Sequence, residues 1–206
     1  MNKKVLLTAL FAVTIMFGVS AQKISGNLSP LKGQTKLNLV IDFSETKVSE
    51  KVSFISDKPI DVKPEEKYVA DKINDKSDEE KERFLAEWNV KLRDEAYSFL
   101  IKDMNSALNK KGKEITVGNS PNAEYTIMVK VTLIEAGSFV GIKERSRVSA
   151  DVSFVKTGET KEFASTTYNR IFNYVSDCVP HHVIRIAMSF GTLGSNICKT
   201  ISKNVK

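Results

Sequence analysis

An α+β, two-layer sandwich is what the sequence predicts, with one long and one shorter helix packed on one face of a mixed, mostly antiparallel sheet of about five strands. Three observations point there. Apolar and polar residues alternate with period two in segments beginning at Leu37, Tyr125 and Val148, as strands with one buried face do. Two other segments, Ser77 to Leu108 and Val183 to Ile201, repeat apolar residues every three or four positions, as helices with a single apolar stripe do. The resulting order, β-α-β-β-β-β-α, lets both stripes cover the same sheet face and fill it without leaving an enclosed pocket.

At the N-terminus, Lys3 and Lys4 precede an apolar run from Val5 to Val19 that ends in Val19-Ser20-Ala21. A run of about 15 residues is short of the roughly 20 that cross a bilayer as a helix. With its basic flank and small terminal residues it has the form of a cleaved export signal, residues 1–21, cut after Ala21; an uncleaved anchor is the alternative. The first cysteine is Cys178, so no lipoprotein cysteine follows the cut. Cleavage removes two lysines and no acid from a chain of net charge +6.

Residues 22–36 are rich in Gly, Ser and Asn, with Pro30, and read as a flexible lead-in. A single α+β domain is expected over 37–206. Leu37, Leu39, Ile41 and Phe43 alternate with polar neighbours as its first strand, and Val52 and Phe54 suggest a weaker second one. Residues 57–77, with Pro59 and Pro64 among many charges, read as a solvated connection with a helical turn around Tyr68 to Ile73.

Ser77-Asp78-Glu79-Glu80 has the form of a capping box. The helix it opens carries Leu85, Trp88, Leu92, Ala96, Leu100, Met104 and Leu108 on one stripe and stops at Lys110-Lys111-Gly112. At ~1.5 Å per residue it would be on the order of 50 Å long, and a bend near Trp88-Asn89 would suit that length. A short strand over Ile115 to Val117 and a turn lead to three runs, Tyr125 to Leu133, Val148 to Phe154 and Glu162 to Ile171, which read as an antiparallel meander. The last helix contains Gly191 and Gly194. These would let it lie close to the sheet, at about 1 kcal/mol each in helix propensity.

The stretch from Phe84 to Lys203 resembles a group of small, uncharacterised exported proteins of Gram-negative anaerobes. Phe84-Leu85-Ala86-Glu87-Trp88, Ala123-Glu124-Tyr125-Thr126-Ile127-Met128-Val129-Lys130, Glu135-Ala136-Gly137-Ser138-Phe139-Val140-Gly141-Ile142 and the last helix carry the resemblance. In element order the chain is similar to the small envelope domains in the N-terminal part of TolB and in the periplasmic part of the curli secretion channel. That likeness implies assembly and contact, and it brings no catalytic residue with it.

The chemistry the residues offer is sparse. Hydrophobic side chains make up 41% of 206 residues, enough for a core, and acidic and basic residues are interleaved, which argues against a polybasic nucleic-acid arm. Phosphate loops, dinucleotide fingerprints, serine elbows and calcium loops are absent from the sequence, so no cofactor is expected. The two histidines, His181 and His182, sit beside Asp177 and Cys178. A hydrolase or metal-dependent centre on Cys178 and His181 is therefore the rival reading, although one thiol and two neighbouring, diverging imidazoles fall short of a zinc or Cys-His set.

A Cys178–Cys198 disulfide is disfavoured by distance. Cys198 lies about 22 Å along its helix, and the connection back to Cys178 reaches at most ~17 Å, so Cys198 reads as a small core residue. Asp151 falls on the outward face of its strand, where solvation is the ordinary reading.

The segment singled out for binding is Gly137 to Ile142. Phe139, Val140 and Ile142 stand where a turn is usually polar, followed by Lys143, Arg145 and Arg147. An apolar tip beside basic charge suits a membrane-surface or partner contact; the ordinary alternative is a bulged strand end under the long helix. The expectation is a non-enzymatic, periplasmic or secreted binding module. Its partner would be an envelope protein or anionic lipid and not nucleic acid.

Overall fold

The computed structural model describes residues 24–52, 58–137, 145–174 and 181–205. Among the described residues the strands are β1 (Ser25–Gly26), β2 (Lys36–Asp42), β3 (Lys47–Ser49), β4 (Lys51–Val52), β5 (Pro59–Ile60), β6 (Lys63–Pro64), β7 (Thr116–Gly118), β8 (Tyr125–Glu135), β9 (Arg147–Lys156) and β10 (Glu162–Phe172). The α-helices are α1 (Glu65–Ile73), α2 (Asp78–Leu85), α3 (Leu92–Lys110) and α4 (His182–Asn204), with a π-helical segment, Ala86–Lys91, joining α2 to α3. The α+β class holds. Of the expected second strand, Val52 lies in β4 and Phe54 lies outside the described residues.

The sheet is larger than the five strands expected. Eight strands form it, in the order β1-β10-β9-β8-β2-β7 with β3 attached to β8 and β6 to β3, while β4 and β5 pair separately. The extra strands are two or three residues long, too short to show a period-two pattern. β8, β9 and β10 form the antiparallel meander, and β2 runs parallel to β8 with Leu39 opposite Ile127 and Asp42 opposite Lys130. The chain then leaves the ladder and returns as β3, parallel to the far end of β8, with Ser49 opposite Glu135. Across the interruption the Thr46 hydroxyl donates to the Val131 carbonyl at 3.1 Å, so a buried acceptor that β2 and β3 both miss is still satisfied.

The segment expected as a flexible lead-in is built into the domain. Leu28 and Leu31 are buried, and β1 pairs with β10 through Ser25 opposite Ser165. Only glycine fits at Gly26: its φ is +83°, and a Cβ there would stand 2.2 Å from the Phe163 carbonyl oxygen. Two isolated leucines in a polar stretch gave no periodic signal.

One core lies between the sheet and the helices. Ile127, Val129 and Val131 of β8 and Val148, Ala150, Val152 and Phe154 of β9 face Leu92, Ala96, Leu100 and Met104 of α3 and Ile186, Phe190, Leu193 and Ile197 of α4, all buried. Burial of such side chains contributes about 1.5–3 kcal/mol apiece against conformational entropy. The capping box forms: Ser77 accepts from the Glu80 amide at 3.4 Å while Glu80 accepts from the Ser77 amide at 3.0 Å. The Ser77 amide and the Ser77 hydroxyl, both donating to the Glu80 carboxylate, hold its pKa below the ordinary value. The π-helical segment falls at the place where a bend was expected, with Trp88 fully buried within it.

Gly191 and Gly194 serve a different contact from the one expected. A Cβ on Gly194 would meet the Leu100 carbonyl oxygen at 2.7 Å, and one on Gly191 would meet the Asp103 carboxylate at 2.5 Å. They bring α4 against α3, not against the sheet. Cys198 continues the same line, its thiol donating to the Met104 carbonyl at 3.4 Å. It is free and buried, and burial pushes its pKa up to about 12. Cys178 lies outside the described residues.

Candidate functional site

Of the residues selected for binding, Phe139, Val140, Ile142 and Lys143 lie outside the described residues, and Arg145 is described. β8 ends and β9 begins on either side of that stretch, so Arg145 stands beside the end of β10. Its guanidinium lies over two aromatic rings, 4.9 Å from the Phe172 centroid and 5.0 Å from that of Tyr174. The rings meet edge-on at 4.6 Å. Tyr174 is 71% exposed, so the cluster presents an aromatic ring to solvent beside a half-buried cation.

A buried carboxylate anchors this end of the sheet. Glu135, the last residue of β8, is 1% exposed. It accepts from Arg170 Nε at 2.6 Å and Nη2 at 2.9 Å and from Arg147 Nη1 at 3.3 Å. Two irregularities of register bring these groups together. A shift between Val131 and Leu133 in β8 places Glu135 opposite Arg147, and one between Tyr168 and Ile171 in β10 turns Arg170 into the left-handed region at φ 52°. There the Arg170 amide donates to Ser149 Oγ at 2.9 Å. Asn173 ties the same end to α4 through the Met188 carbonyl and the Thr192 hydroxyl. Rigid backing of this kind keeps an exposed contact surface in one geometry.

Sequence reasoning selected Arg145, noted Arg147 in the same basic flank, and missed Phe172, Tyr174, Glu135 and Arg170. A signal was present in the spacing: Arg145 and Arg147 are two apart, as are Phe172 and Tyr174. Each pair therefore projects to one side of an extended chain. The observed register, Phe172 opposite Arg147, joins the two pairs.

The rival site is described only at its histidines, since Asp177 and Cys178 lie outside the described residues. The two imidazoles are not divergent: their planes differ by 6° at a centroid separation of 5.9 Å, and the His182 ring stacks on Trp88 at 6.4 Å. His181 Nε2 stands 3.5 Å from a Glu87 carboxylate oxygen and 3.4 Å from Lys91 Nζ. Among the described residues no three His, Cys, Asp or Glu side chains are placed to hold a metal ion. Asp151 is exposed and accepts from the Thr167 hydroxyl at 2.6 Å.

Burial lowers the His182 pKa below the usual histidine value; Glu87 opposes the shift, while His181, Arg185 and Lys72 add to it. The unfolded chain therefore binds a proton more readily than the folded one. Stability from this site is complete above the unfolded value near 6.5 and is lost as pH falls toward the lower folded value. Urea midpoints taken at about pH 7.5 and about pH 5.5 should drop less in His182→Phe than in the wild type. An equal drop would place the linkage elsewhere.

A groove of about 690 Å³ lies between α1, the π-helical segment and the β2–β3 crossover, bordered by Phe43, Glu65, Val69, Ile73, Asn89 and Arg93. Two of its ionisable groups pair with each other: the Glu65 carboxylate accepts from Arg93 Nη2 and from the Trp88 indole, while Arg93 Nη1 is buried without a hydrogen-bond partner. The Arg93 guanidinium also stacks on Phe43 at 4.1 Å.

No helix among the described residues is long and apolar enough to cross a membrane. No protein-family model matches the chain, and no curated protein does. Among solved structures the chain is similar to a PelC dodecamer from Paraburkholderia phytofirmans, at 8% identity and a TM-score of 0.35, over 83% of this chain and 96% of that one. A substituted PelC dodecamer from the same organism gives 8% identity and a TM-score of 0.31, over 83% and 99%.

Proposed function

We propose that the protein is an exported, non-enzymatic envelope protein that acts as a binding or assembly module through the end of the sheet around Arg145. The observation that carries this is an exposed aromatic ring, Tyr174, capped by a guanidinium and mounted on a buried Glu135–Arg147–Arg170 cluster. Aromatic residues and arginines on a rigid base are the usual anchors of protein contacts. The apolar Phe139, Val140 and Ile142 with Lys143, next to Arg145 in the chain, extend the same surface in this reading. Export rests on the N-terminal segment.

The test is native co-purification from envelope fractions, comparing the wild type with Arg145→Glu/Tyr174→Ser and with Phe139→Asp/Ile142→Asp. The wild type should retain a stoichiometric partner that both variants lose while keeping their melting temperature. Unchanged association in both variants would remove this surface as the contact.

A further inference from the structure

The opposite end of the domain carries a different kind of surface. The C-terminal turns of α3 and α4, the start of β7 and the turn before β2 meet there. They gather Lys32, Lys110, Lys111, Lys113, Lys199 and Lys203. All but the half-buried Lys113 are exposed, and none of the six forms an ion pair among the described residues, whereas Lys63, Lys67, Lys72 and Lys130 elsewhere do. Lys113 donates to the Val205 carbonyl at 2.9 Å, which holds the end of α4 against the α3–β7 turn.

Two grooves flank that turn. One, of about 350 Å³, has Lys110, Lys111 and Lys199 on its walls with the hydroxyls of Ser106 and Ser195; the other, of about 340 Å³, has Lys32 and Lys113. One carboxylate borders each groove, Asp103 and Glu114 respectively. Cations at helix C-termini complement the backbone dipoles, but two helix ends account for the lysines of two last turns and not for Lys32 or Lys113.

We infer that this lysine-rich end is a docking surface for an anionic lipid bilayer. The charge is concentrated on one end of a chain whose acids and bases are otherwise interleaved, so it would act as a patch rather than as net charge. The set contains no arginine: compact ammonium groups on flexible stems suit a mobile array of lipid phosphates better than a fixed, bidentate protein or nucleic-acid acceptor. The two grooves add recesses beside the ammonium groups in which phosphate headgroups can sit. This surface is independent of the one around Arg145 and would leave that end pointing away from the bilayer.

The experiment is sedimentation of the natively processed protein with vesicles of phosphatidylcholine containing phosphatidylglycerol, against pure phosphatidylcholine. Binding should require the anionic lipid and weaken steeply with salt. Lys110→Gln/Lys111→Gln/Lys199→Gln should lower the partition coefficient on the order of 100-fold at low salt. Removing equal charge from the other end, by Lys58→Gln/Lys67→Gln/Lys76→Gln, should lower it only a few-fold. Equal losses in the two variants, or equal binding to both vesicle types, would overturn the inference. Should the first variant prove less stable, Lys32→Gln/Lys203→Gln gives the same reading from outside α3. Arg145→Glu/Tyr174→Ser should leave vesicle binding in place, so the two surfaces fail separately.

Discussion

Gly194→Val should be the most damaging single substitution in the helix layer, destabilising by roughly 3 kcal/mol or more in urea unfolding. A side chain there meets backbone: the Leu100 carbonyl oxygen at 2.7 Å, with Met104 Cγ at 2.8 Å. α3 would have to move as a unit away from α4, opening the stripe that continues through Cys198. Gly194→Ala is the sharper test, because alanine gains about 1 kcal/mol in helix propensity and should still lose about 1–3 kcal/mol net to the clash. Gly191→Ala provides the contrast. Its Cβ would crowd the Asp103 carboxylate, at 2.5 Å, which is the far end of a flexible side chain, and meet the Phe99 carbonyl oxygen at an ordinary 3.5 Å. That variant should be neutral or slightly more stable than the wild type. A Gly194→Ala protein as stable as Gly191→Ala would show that the helices are not held at this distance by the glycine.

The same contact shows where sequence reasoning stops. The absence of a side chain at two positions announces a close approach and does not say to what; the partner is fixed by α3 and α4 lying side by side on the sheet. β2, β8, β9 and β10 were legible because each is long enough to alternate against a covered face. β1, β3 and β6 have two or three residues each and exist only as additions, β1 to β10, β3 to β8 and β6 to β3; the equally short β7 was legible at Ile115 to Val117, ahead of a turn cluster. The capping box at Ser77 was legible because it is local. The π-helical turn at Trp88 was not, since Leu85, Trp88 and Leu92 keep ordinary helical spacing through it. At the candidate site, Arg145 could be chosen from its neighbours in the chain. Phe172 and Tyr174 show the same spacing of two but could not be joined to it, because that pairing depends on two register shifts that no local pattern encodes.

Those register shifts also create the second large expectation. Glu135→Gln should cost about 3 kcal/mol, near the lower end for breaking one side of a buried ion pair, because Arg147 and Arg170 keep some contact with solvent. Glutamine preserves the shape and one acceptor, so the loss reports charge rather than volume. Two guanidiniums would remain close together around a neutral amide, and the left-handed turn at Arg170 would lose the bidentate pair that offsets its strain. Because Phe172 lies opposite Arg147, the disturbance should reach the aromatic pair: the exposed Tyr174 should become more mobile, read as faster decay of its fluorescence anisotropy, while the far end of the sheet is unchanged. Arg170→Gln alone should be similarly destabilising, and the double variant should cost less than the sum of the two, with a coupling of roughly 1–3 kcal/mol in a double-mutant cycle. Additive losses would mean that Glu135 and Arg170 stabilise the fold separately, and the surface around Arg145 would then have no rigid base.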